Sequence, residues 1–433
     1  MPSLRSPPKP SDLEKLLITF KQRLLLSSRT PSAPPPQMRV LNGLLRDAAK
    51  LEHHSTVLSM FHDLCSAGIS PDLFTHHILI NSLSKLNRPD LGFSLLCGVI
   101  KRGYDLDVVT LTTLIKGLCS TDNIGVAIEL FVDMSKKGYS ADVVAYGTLI
   151  DGLCKAGSTE DALKLFEEMI ERGIRPSVIA YNSLMKGLYD SGRGGKAKEL
   201  FDGMVDKGIT PSVFTFSIQI DGLCGEGKVD DAHVLLDTMI QRGLEPSVVT
   251  YTALINGYCL QRRMKDALIV FESMVVRGQT PNVVTYNKLF NGYYRVNQMD
   301  EAMELFMRMQ CENVKPDIYT YHILLLGLCE NGRLEEAMKW IQQMIGEKIE
   351  VNVTTFNILI NGLCASGNVE AAMNVFNDVI AKGMVPNVVM YSKMIRGLCQ
   401  VGCIQEASEL LVRMEKENCP PNSVIQCHGS RSS

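Results

Sequence analysis

The chain has 433 residues, of which 45% are apolar and 21% charged, a composition typical of a folded protein with room for two or three ordinary domains or one long repeat array. A formal net charge of -3 and a pI near 6.3 exclude a strongly basic surface overall, although a local basic stripe is compatible with that total. The 13 cysteines include no CxxC pair, which argues against a zinc site, and no apolar run reaches membrane-spanning length.

Residues 1–37 form a leader whose composition differs from the rest of the chain. It is rich in Ser and Pro, and only Asp12 and Glu14 oppose six basic residues: Arg5, Lys9, Lys15, Lys21, Arg23 and Arg29. The stretch Leu16–Leu26 can form an amphipathic helix. These features predict an organellar transit peptide, with a disordered leader into the first repeat as the alternative.

From residue 73 onward the sequence repeats every 35 residues. The tetrapeptide VVAY at Val143–Tyr146 returns as VIAY, VFTF, VVTY and VVTY at successive steps. Ten repeats cover residues 73–422 without insertion or deletion, and a degenerate eleventh fits residues 38–72. The ten begin at Leu73, Val108, Val143, Val178, Val213, Val248, Val283, Ile318, Val353 and Val388. Self-similarity at this period marks a repeat architecture.

Each repeat is predicted to contain two helices. In the third repeat, apolar residues of the first helix give way at Gly157, because glycine adopts the left-handed capping conformation readily. The second helix ends at Gly173, and Pro176 prevents its continuation. Because such a pair cannot bury its apolar face alone, the sequence predicts an all-α fold, an α-solenoid of 35-residue helix-turn-helix repeats.

Three residue types recur at fixed positions of the repeat. Small residues that allow close helix approach are Ala127, Ala162, Ala197, Ala232, Ala267, Ala302, Ala337, Ala372 and Ala407. Methionines, interpreted as core residues rather than a binding groove, are Met134, Met169, Met204, Met239, Met274, Met309, Met344 and Met414. Periodic cysteines, interpreted as free thiols, are Cys119, Cys154, Cys224, Cys259, Cys329, Cys364 and Cys399.

Residues 423–433 form a tail after the tenth repeat. Ser423, Val424 and Ile425 begin another repeat, and Gln426–Ser433 lose the pattern. No capping helix follows to cover the last apolar face, which repeat arrays normally require. A truncated or alternatively spliced product is therefore expected.

The consensus VVTYNxLIxGLCxxGxxxxAxxLFxxMxxxGxxPx resembles the pentatricopeptide repeat. The early run LFTHHILINSLSKLNRPDLGFSLL is similar to the restorer-of-fertility-like subgroup of plants, and the uniform repeat length resembles the P class. The resemblance implies a right-handed superhelix. It also implies sequence-specific binding of single-stranded organellar RNA, one base per repeat, with the mitochondrion favoured over the chloroplast.

In that family the fifth and last residues of a repeat contact one base edge. Carried over, the base-specifying pairs are His77 with Asp107, Thr112 with Asp142, Gly147 with Ser177, Asn182 with Ser212, Ser217 with Ser247, Thr252 with Asn282, Asn287 with Asp317, His322 with Asn352, Asn357 with Asn387, and Ser392 with Asn422. By resemblance, Thr–Asp specifies guanine, Thr or Ser with Asn adenine, Asn–Asp uracil, and Asn with Ser or Asn cytosine with some uracil. The implied RNA is ?-G-?-C-?-A-U-?-C/U-A.

The second residue of each repeat is implied to sandwich the base. These residues are Val109, Val144, Ile179, Phe214, Val249, Val284, Tyr319 and Val389, and Thr354 departs from the pattern. The specifying side chains are expected on an exposed helix face. Charge near them is mixed: Lys116, Lys155, Lys186, Arg295 and Arg396 against Asp151, Asp190, Asp221 and Glu330.

No catalytic motif accompanies the repeats, so the sequence predicts no enzyme and no cofactor or metal. The expected partners are the RNA and RNA-processing proteins, with the chain a monomer away from membranes. Two alternatives stay open. One is a protein-binding adaptor, which would not need polar pairs at the two base-contacting positions. The other is an enzyme with active residues dispersed in the groove, which RNA cleavage by pure protein would reveal.

Overall fold

A computed structural model of the chain describes residues 10–28, 38–101, 108–121, 123–346, 349–417 and 419. Over these residues the backbone forms 23 α-helices and no strand. In chain order they are α1 (Pro10–Ser28), α2 (Met38–Lys50), α3 (His54–Ser66), α4 (Leu73–Lys85), α5 (Pro89–Lys101), α6 (Val108–Ser120), α7 (Ile124–Lys136), α8 (Val143–Lys155), α9 (Thr159–Glu171), α10 (Val178–Asp190), α11 (Gly194–Asp206), α12 (Val213–Gly225), α13 (Val229–Gln241), α14 (Val248–Leu260), α15 (Met264–Val276), α16 (Val283–Val296), α17 (Met299–Cys311), α18 (Ile318–Glu330), α19 (Leu334–Gly346), α20 (Val353–Ala365), α21 (Val369–Ala381), α22 (Val388–Val401) and α23 (Ile404–Lys416).

The ten repeats account for α4–α23, two helices per repeat, which confirms the predicted all-helical repeat fold. Links of two or three residues fold each second helix back on the first. In the third repeat, α8 and α9 are followed by Gly157 at φ +78° and Gly173 at φ +72°, so both glycines occupy the left-handed conformation that the sequence predicted. The right-handed winding of the repeats stays a prediction.

The chain divides into two compact parts, residues 1–218 and residues 219–433. In the first part, α2, α4, α6, α8 and α10 contact one another in sequence. In the second part, α14, α16, α18, α20 and α22 do the same. Within each part the first helices of successive repeats therefore form one layer, and the second helices pack behind it against their own and the next first helix.

The recurring small and flexible residues lie in the core between the helices. Each alanine from Ala127 to Ala372 in the series is fully buried, and Ala407 is nearly so. The methionine series is buried in the same way, from Met134 at 2% exposure to Met414 at 0%. The interpretation of these methionines as core residues is confirmed, since none of them faces a surface groove.

An aromatic ladder joins consecutive repeats. A phenylalanine of the second helix packs edge-on against the fourth residue of the next repeat, as in Phe131–Tyr146 and Phe166–Tyr181, both with ring centroids 5.0 Å apart. The same contact recurs at Phe376–Tyr391, at 5.2 Å. Edge-to-face pairs add about 0.5–1.5 kcal/mol beyond area burial. Each such pair therefore stabilises the stacking of its repeat on the next.

A glycine at the tenth residue of the first helix marks a close approach to the preceding repeat, as at Gly257 and Gly397. A Cβ built on Gly257 would lie 2.5 Å from Sγ of Cys224, and one on Gly397 would lie 2.5 Å from Sγ of Cys364. The periodic cysteine thus fills the space that the glycine of the next repeat leaves. Burial raises the pKa of Cys224 to about 12 and that of Cys364 to about 11, so these thiols stay protonated and unreactive.

The leader contributes a helix that packs on the degenerate repeat. In α1, Phe20 is 1% exposed and clusters with Leu41 and Leu45 of α2. Residues 10–28 are therefore helical and in contact with the repeat that follows. Among the described helices, none combines the length and apolar character needed to cross a bilayer.

Candidate nucleic-acid interface

The fifth residue of each repeat lies in the seam between neighbouring first helices. Five of these side chains are between 5% and 9% exposed: Thr112, Asn182, Ser217, Thr252 and Asn287. His77, His322, Asn357 and Ser392 are half-buried, and Gly147 is buried without a side chain to present. The expectation of an exposed helix face was wrong for this position. The repeats stack closely enough to enclose the fifth side chain, which leaves only its outer edge at the surface.

From the second to the ninth repeat, the last residue is the N-cap of the next first helix. The side chain of Asp142 accepts from the backbone N–H groups of Val144 and Ala145, and Asp317 accepts from Thr320. The same cap is formed by Ser177, Ser212, Ser247, Asn282, Asn352 and Asn387. Ser, Asn and Asp all cap helices well. Capping therefore explains why this position is polar, but it leaves the choice among the three residue types open.

The seventh repeat shows how the two positions meet. Nδ2 of Asn287 donates to Oδ1 of Asp317 over 3.2 Å. The hydroxyl of Thr320, the third residue of the next repeat, lies 2.7 Å from Oδ1 of Asn287 and 2.9 Å from Oδ1 of Asp317. The amide is consequently held in one orientation, with its nitrogen toward the carboxylate and its oxygen toward the hydroxyl.

This network fixes the charge state of the carboxylate. Burial would raise the pKa of Asp317, but hydrogen bonds from the backbone and hydroxyl of Thr320 and from Asn287 outweigh that effect and lower it. Asp317 is accordingly ionised at neutral pH and acts only as an acceptor. The site offers a carboxylate acceptor beside an amide N–H donor.

The threonine at the third position contacts the preceding fifth residue at several other borders. Oγ1 of Thr285 lies 2.8 Å from Oγ1 of Thr252, and Oγ1 of Thr355 lies 2.9 Å from Nε2 of His322. Burial lowers the pKa of His322, although Asp317 opposes the shift, so the imidazole is neutral at pH 7. Sequence reasoning missed these threonines, although a threonine recurs two residues before most of the fifth positions.

At two fifth-position asparagines, the side-chain carbonyl oxygen receives no hydrogen bond from the part of the chain that the structure describes. Oδ1 of Asn182 and Oδ1 of Asn357 are buried and have no hydrogen-bond partner among the described residues. Nδ2 of Asn357 donates weakly to Asn387 over 3.4 Å, and the next repeat supplies Met390 instead of a threonine. A buried carbonyl without a donor favours a ligand that can donate to it.

Three of the hydroxyl side chains among the fifth residues donate to their own helix. Oγ1 of Thr112 donates to the carbonyl of Val108 over 2.7 Å, and Ser392 and Ser217 form the same contact. Two predicted partners, Asp107 and Asn422, lie outside the described residues. Of the first and tenth pairs, the structure therefore describes only His77 and Ser392.

The predicted base-sandwiching residues are apolar and open to solvent. Their exposure runs from 50% to 70% for Val109, Val144, Ile179, Phe214, Val249, Val284, Tyr319 and Val389. Phe74, the second residue of the first repeat, is 48% exposed and was missed. Its equivalence to the others follows from the repeat phase. These exposed apolar side chains recur at the second position of the repeats.

Charge along this layer is partly neutralised within the protein. Nζ of Lys155 lies 2.6 Å from Oδ2 of Asp151, which weakens the case for Lys155 as a phosphate contact. Near the last repeats, Lys393, Arg396 and Gln400 line a cavity of about 290 Å³. Arg396 forms no ion pair with any described residue. The described part of the chain contains no cluster of His, Cys, Asp and Glu suited to a metal ion.

The sequence matches the PPR repeat family over residues 106–155, 141–188, 176–225, 219–260, 246–295, 281–330, 323–365, 351–400 and 386–424. These spans overlap from 106 to 424 and so cover well over half of the chain. This chain belongs to the pentatricopeptide repeat family. Residues 38–105, which include the degenerate repeat, precede the matched spans.

Solved structures share the pentatricopeptide fold. The crystal structure of PPR10 from maize matches with a TM-score of 0.62 at 22% identity, covering 96% of this chain and 70% of that one. PPR10 in complex with an 18-nt psaJ RNA element matches with a TM-score of 0.62 at 21% identity, covering 95% and 68%. No curated protein sequence matches significantly. At this identity the likeness shows the fold.

Proposed function

We propose that this pentatricopeptide repeat protein binds single-stranded RNA in a sequence-specific way, one base per repeat. The network of Asn287, Asp317 and Thr320 carries the proposal, because it holds a defined donor and acceptor side by side. The second residues of the seventh and eighth repeats, Val284 and Tyr319, are apolar and exposed. The similarity to PPR10, a structure of which contains an RNA element, supports RNA as the ligand class.

Base selection follows from hydrogen-bonding chemistry. The ionised Asp317 accepts and requires an N–H on the base edge. The second N–H of Asn287, not used by Asp317, can donate to a base carbonyl. Uracil offers N3–H between two carbonyls, whereas N3 of cytosine is an acceptor and would face the carboxylate. The seventh repeat therefore selects uracil over cytosine, and the ten repeats select ?-G-?-C-?-A-U-?-C/U-A from the 5′ end.

The biological setting is part of the same proposal. The basic, Ser- and Pro-rich leader supports import into an organelle, with the mitochondrion favoured and the chloroplast as the alternative. The uniform 35-residue repeat supports the P class, and the early repeats support the restorer-like subgroup. RNA bound in this way would serve processing, stability or translation of an organellar transcript, with other processing proteins as partners.

The decisive experiment changes one base preference. Thr252, held by Thr285 at 2.8 Å, is a precedent for a threonine at the fifth position. The substitution Asn287→Thr keeps Asp317 and should move the preference at the seventh base from uracil to guanine. Gel shifts on four RNAs that differ only there should show a change worth about 1–3 kcal/mol.

Two control variants separate base selection from general binding. Arg396→Ala should weaken all four RNAs about equally, because a phosphate contact carries no sequence information. Met307→Thr, an exposed change on α17, should leave binding unaltered. If Asn287→Thr weakens all four RNAs alike or none, modular recognition fails for this chain and the adaptor function becomes the better hypothesis.

Localisation is tested separately. A fluorescent reporter fused to residues 1–60 should reach mitochondria, or else plastids. A diffuse cytosolic signal would contradict organellar import while leaving RNA binding untouched.

A further inference from the structure

The hydrogen-bond network of the seventh repeat occurs a second time, in the degenerate repeat. Nδ2 of Asn42 lies 3.0 Å from both carboxylate oxygens of Asp72. The hydroxyl of Thr75 lies 2.7 Å from Oδ1 of Asn42 and 2.8 Å from Oδ1 of Asp72. The corresponding distances at Asn287 and Thr320 differ by at most 0.2 Å. Asn42 and Asp72 are the fifth and last residues of the repeat at 38–72.

The surroundings of the two networks also correspond. Asn42 is 3% exposed and Asn287 is 5% exposed, so each amide is buried between neighbouring first helices. The second residue of the following repeat is an exposed aromatic in both cases, Phe74 beside Asn42 and Tyr319 beside Asn287. On the other side the degenerate repeat has the exposed Arg39, whose planar guanidinium can stack on a base face.

Helix capping alone does not account for the asparagine. Asp72 caps α4 through the backbone N–H of Thr75 at 2.8 Å, and this bond does not involve Asn42. At the equivalent border of the eighth repeat, Asn352 caps α20 through Thr355 while the fifth residue is His322. A cap therefore forms without an amide at the fifth position. Asn42 is not needed for capping, and its Nδ2 adds a second hydrogen-bond donor to the carboxylate of Asp72, besides the backbone N–H of Thr75.

The carboxylate of Asp72 has the same charge state as the carboxylate of Asp317. Burial would raise the pKa of Asp72, but hydrogen bonds from Thr75 and Asn42 outweigh it and lower the pKa. An ionised carboxylate with an adjacent amide N–H matches the acceptor and donor pattern that Asp317 and Asn287 present.

We infer that residues 38–72 form an additional base-specifying repeat, in which Asn42 and Asp72 select uracil immediately 5′ of the base at the first repeat. The inference rests on the proposed RNA-binding function and extends its target to U-?-G-?-C-?-A-U-?-C/U-A. The spans that match the family do not include this repeat, so the sequence comparison leaves the site unassigned. Phe74 and Arg39 are the side chains between which that base would lie.

The wild-type chain provides the first test. Four eleven-nucleotide RNAs, identical except for the first base, are compared with the ten-nucleotide RNA that lacks it. The uracil RNA should bind about 5- to 100-fold more tightly than the cytosine RNA, the range of one base discrimination. Equal affinity for all four would overturn the inference, and this measurement depends on no variant.

Substitution at the two equivalent asparagines provides the second test. Asn42→Thr should move the preference at the first base from uracil to guanine and leave the other positions unchanged, and Asn287→Thr is its matched control at the later uracil. If Asn287→Thr changes its base while Asn42→Thr changes none, the inference fails and the proposed function stands. If neither variant changes a preference, the proposed function itself fails.

Discussion

At the scale of single residues, Asn287 and Asn357 differ in what holds their amides, although a third-position threonine is not sufficient by itself, since Oδ1 of Asn182 lacks a donor among the described residues while Thr215 bonds to Ser212. Thr320 fixes the amide of Asn287, whereas Met390 leaves Oδ1 of Asn357 without a donor. A fixed amide presents one pattern to a base, but a free amide can rotate and present either its donor or its acceptor. This difference is the physical reason for the uracil selection proposed for Asn287 with Asp317 and for the mixed C/U preference proposed for Asn357 with Asn387.

A test of this role removes only one hydroxyl. Thr320→Val keeps the shape of the side chain and the backbone N–H that donates to Asp317 at 2.8 Å, so this half of the capping box of α18 remains, while the backbone N–H of Asp317 loses its acceptor. The uracil-over-cytosine ratio at the seventh base should fall about fivefold, while unfolding becomes easier by about 0.5–1.5 kcal/mol for each hydrogen bond lost. Competition binding and thermal unfolding measure the two effects. An unchanged uracil-over-cytosine ratio would mean that Asp317 orients Asn287 without the hydroxyl of Thr320.

At the scale of helices, the contact between cysteine and glycine sets the spacing of the repeats. Glycine inside a helix costs roughly 1 kcal/mol relative to alanine, so its recurrence needs a cause in packing. The cause is the Sγ atom of the preceding repeat, which occupies the place of the missing side chain at Gly257 and Gly397. The cysteine and the glycine are therefore two halves of one contact.

The substitution Gly257→Ala should destabilise the chain by about 1–3 kcal/mol, although alanine is the better helix former. The added Cβ would lie 2.5 Å from Sγ and 2.8 Å from Cβ of Cys224. Adding Cys224→Ala should restore part of the loss, since it removes the sulfur but keeps the Cβ. Gly203→Ala, where nothing lies within 4 Å, is the matched control and should stabilise α11 slightly. If chemical denaturation showed the same change in stability for Gly257→Ala and Gly203→Ala, the packing explanation would be wrong.

Helix boundaries were predictable because they depend on local chemistry. Gly157 and Gly173 end helices by their own conformational freedom, and the 35-residue spacing then fixes every other boundary. The burial of Asn287 was not predictable, because it depends on how closely the next repeat stacks. The same is true of the ion pair between Lys155 and Asp151, whose partners have many accessible rotamers. Sequence thus predicted the candidate positions of the site, and packing determined which of their atoms reach the surface.

At the scale of the whole molecule, each repeat contacts mainly its neighbours in the chain. Stability in such an array is approximately the sum of the terms for each repeat and each interface. The first repeat of an array lacks a preceding neighbour, so its apolar face needs another cover. Here α1 supplies one for the degenerate repeat, with Phe20 packed against Leu41 and Leu45.

Removal of residues 1–28 should therefore have a local effect. Without Phe20 the apolar side chains of α2 face water, and α2 and α3 should lose amide protection in hydrogen exchange. The helices α13–α23 should exchange as before, because each repeat contacts mainly its neighbours in the chain. Phe20→Ala is the matched single change and should give the same pattern with a smaller loss, about 3–5 kcal/mol at most for a buried phenylalanine. Uniform loss of protection along the chain would show that the array unfolds as one cooperative body. Loss confined to α2 and α3 would also place the uracil site of Asn42 under the control of α1, since that site is built on α2.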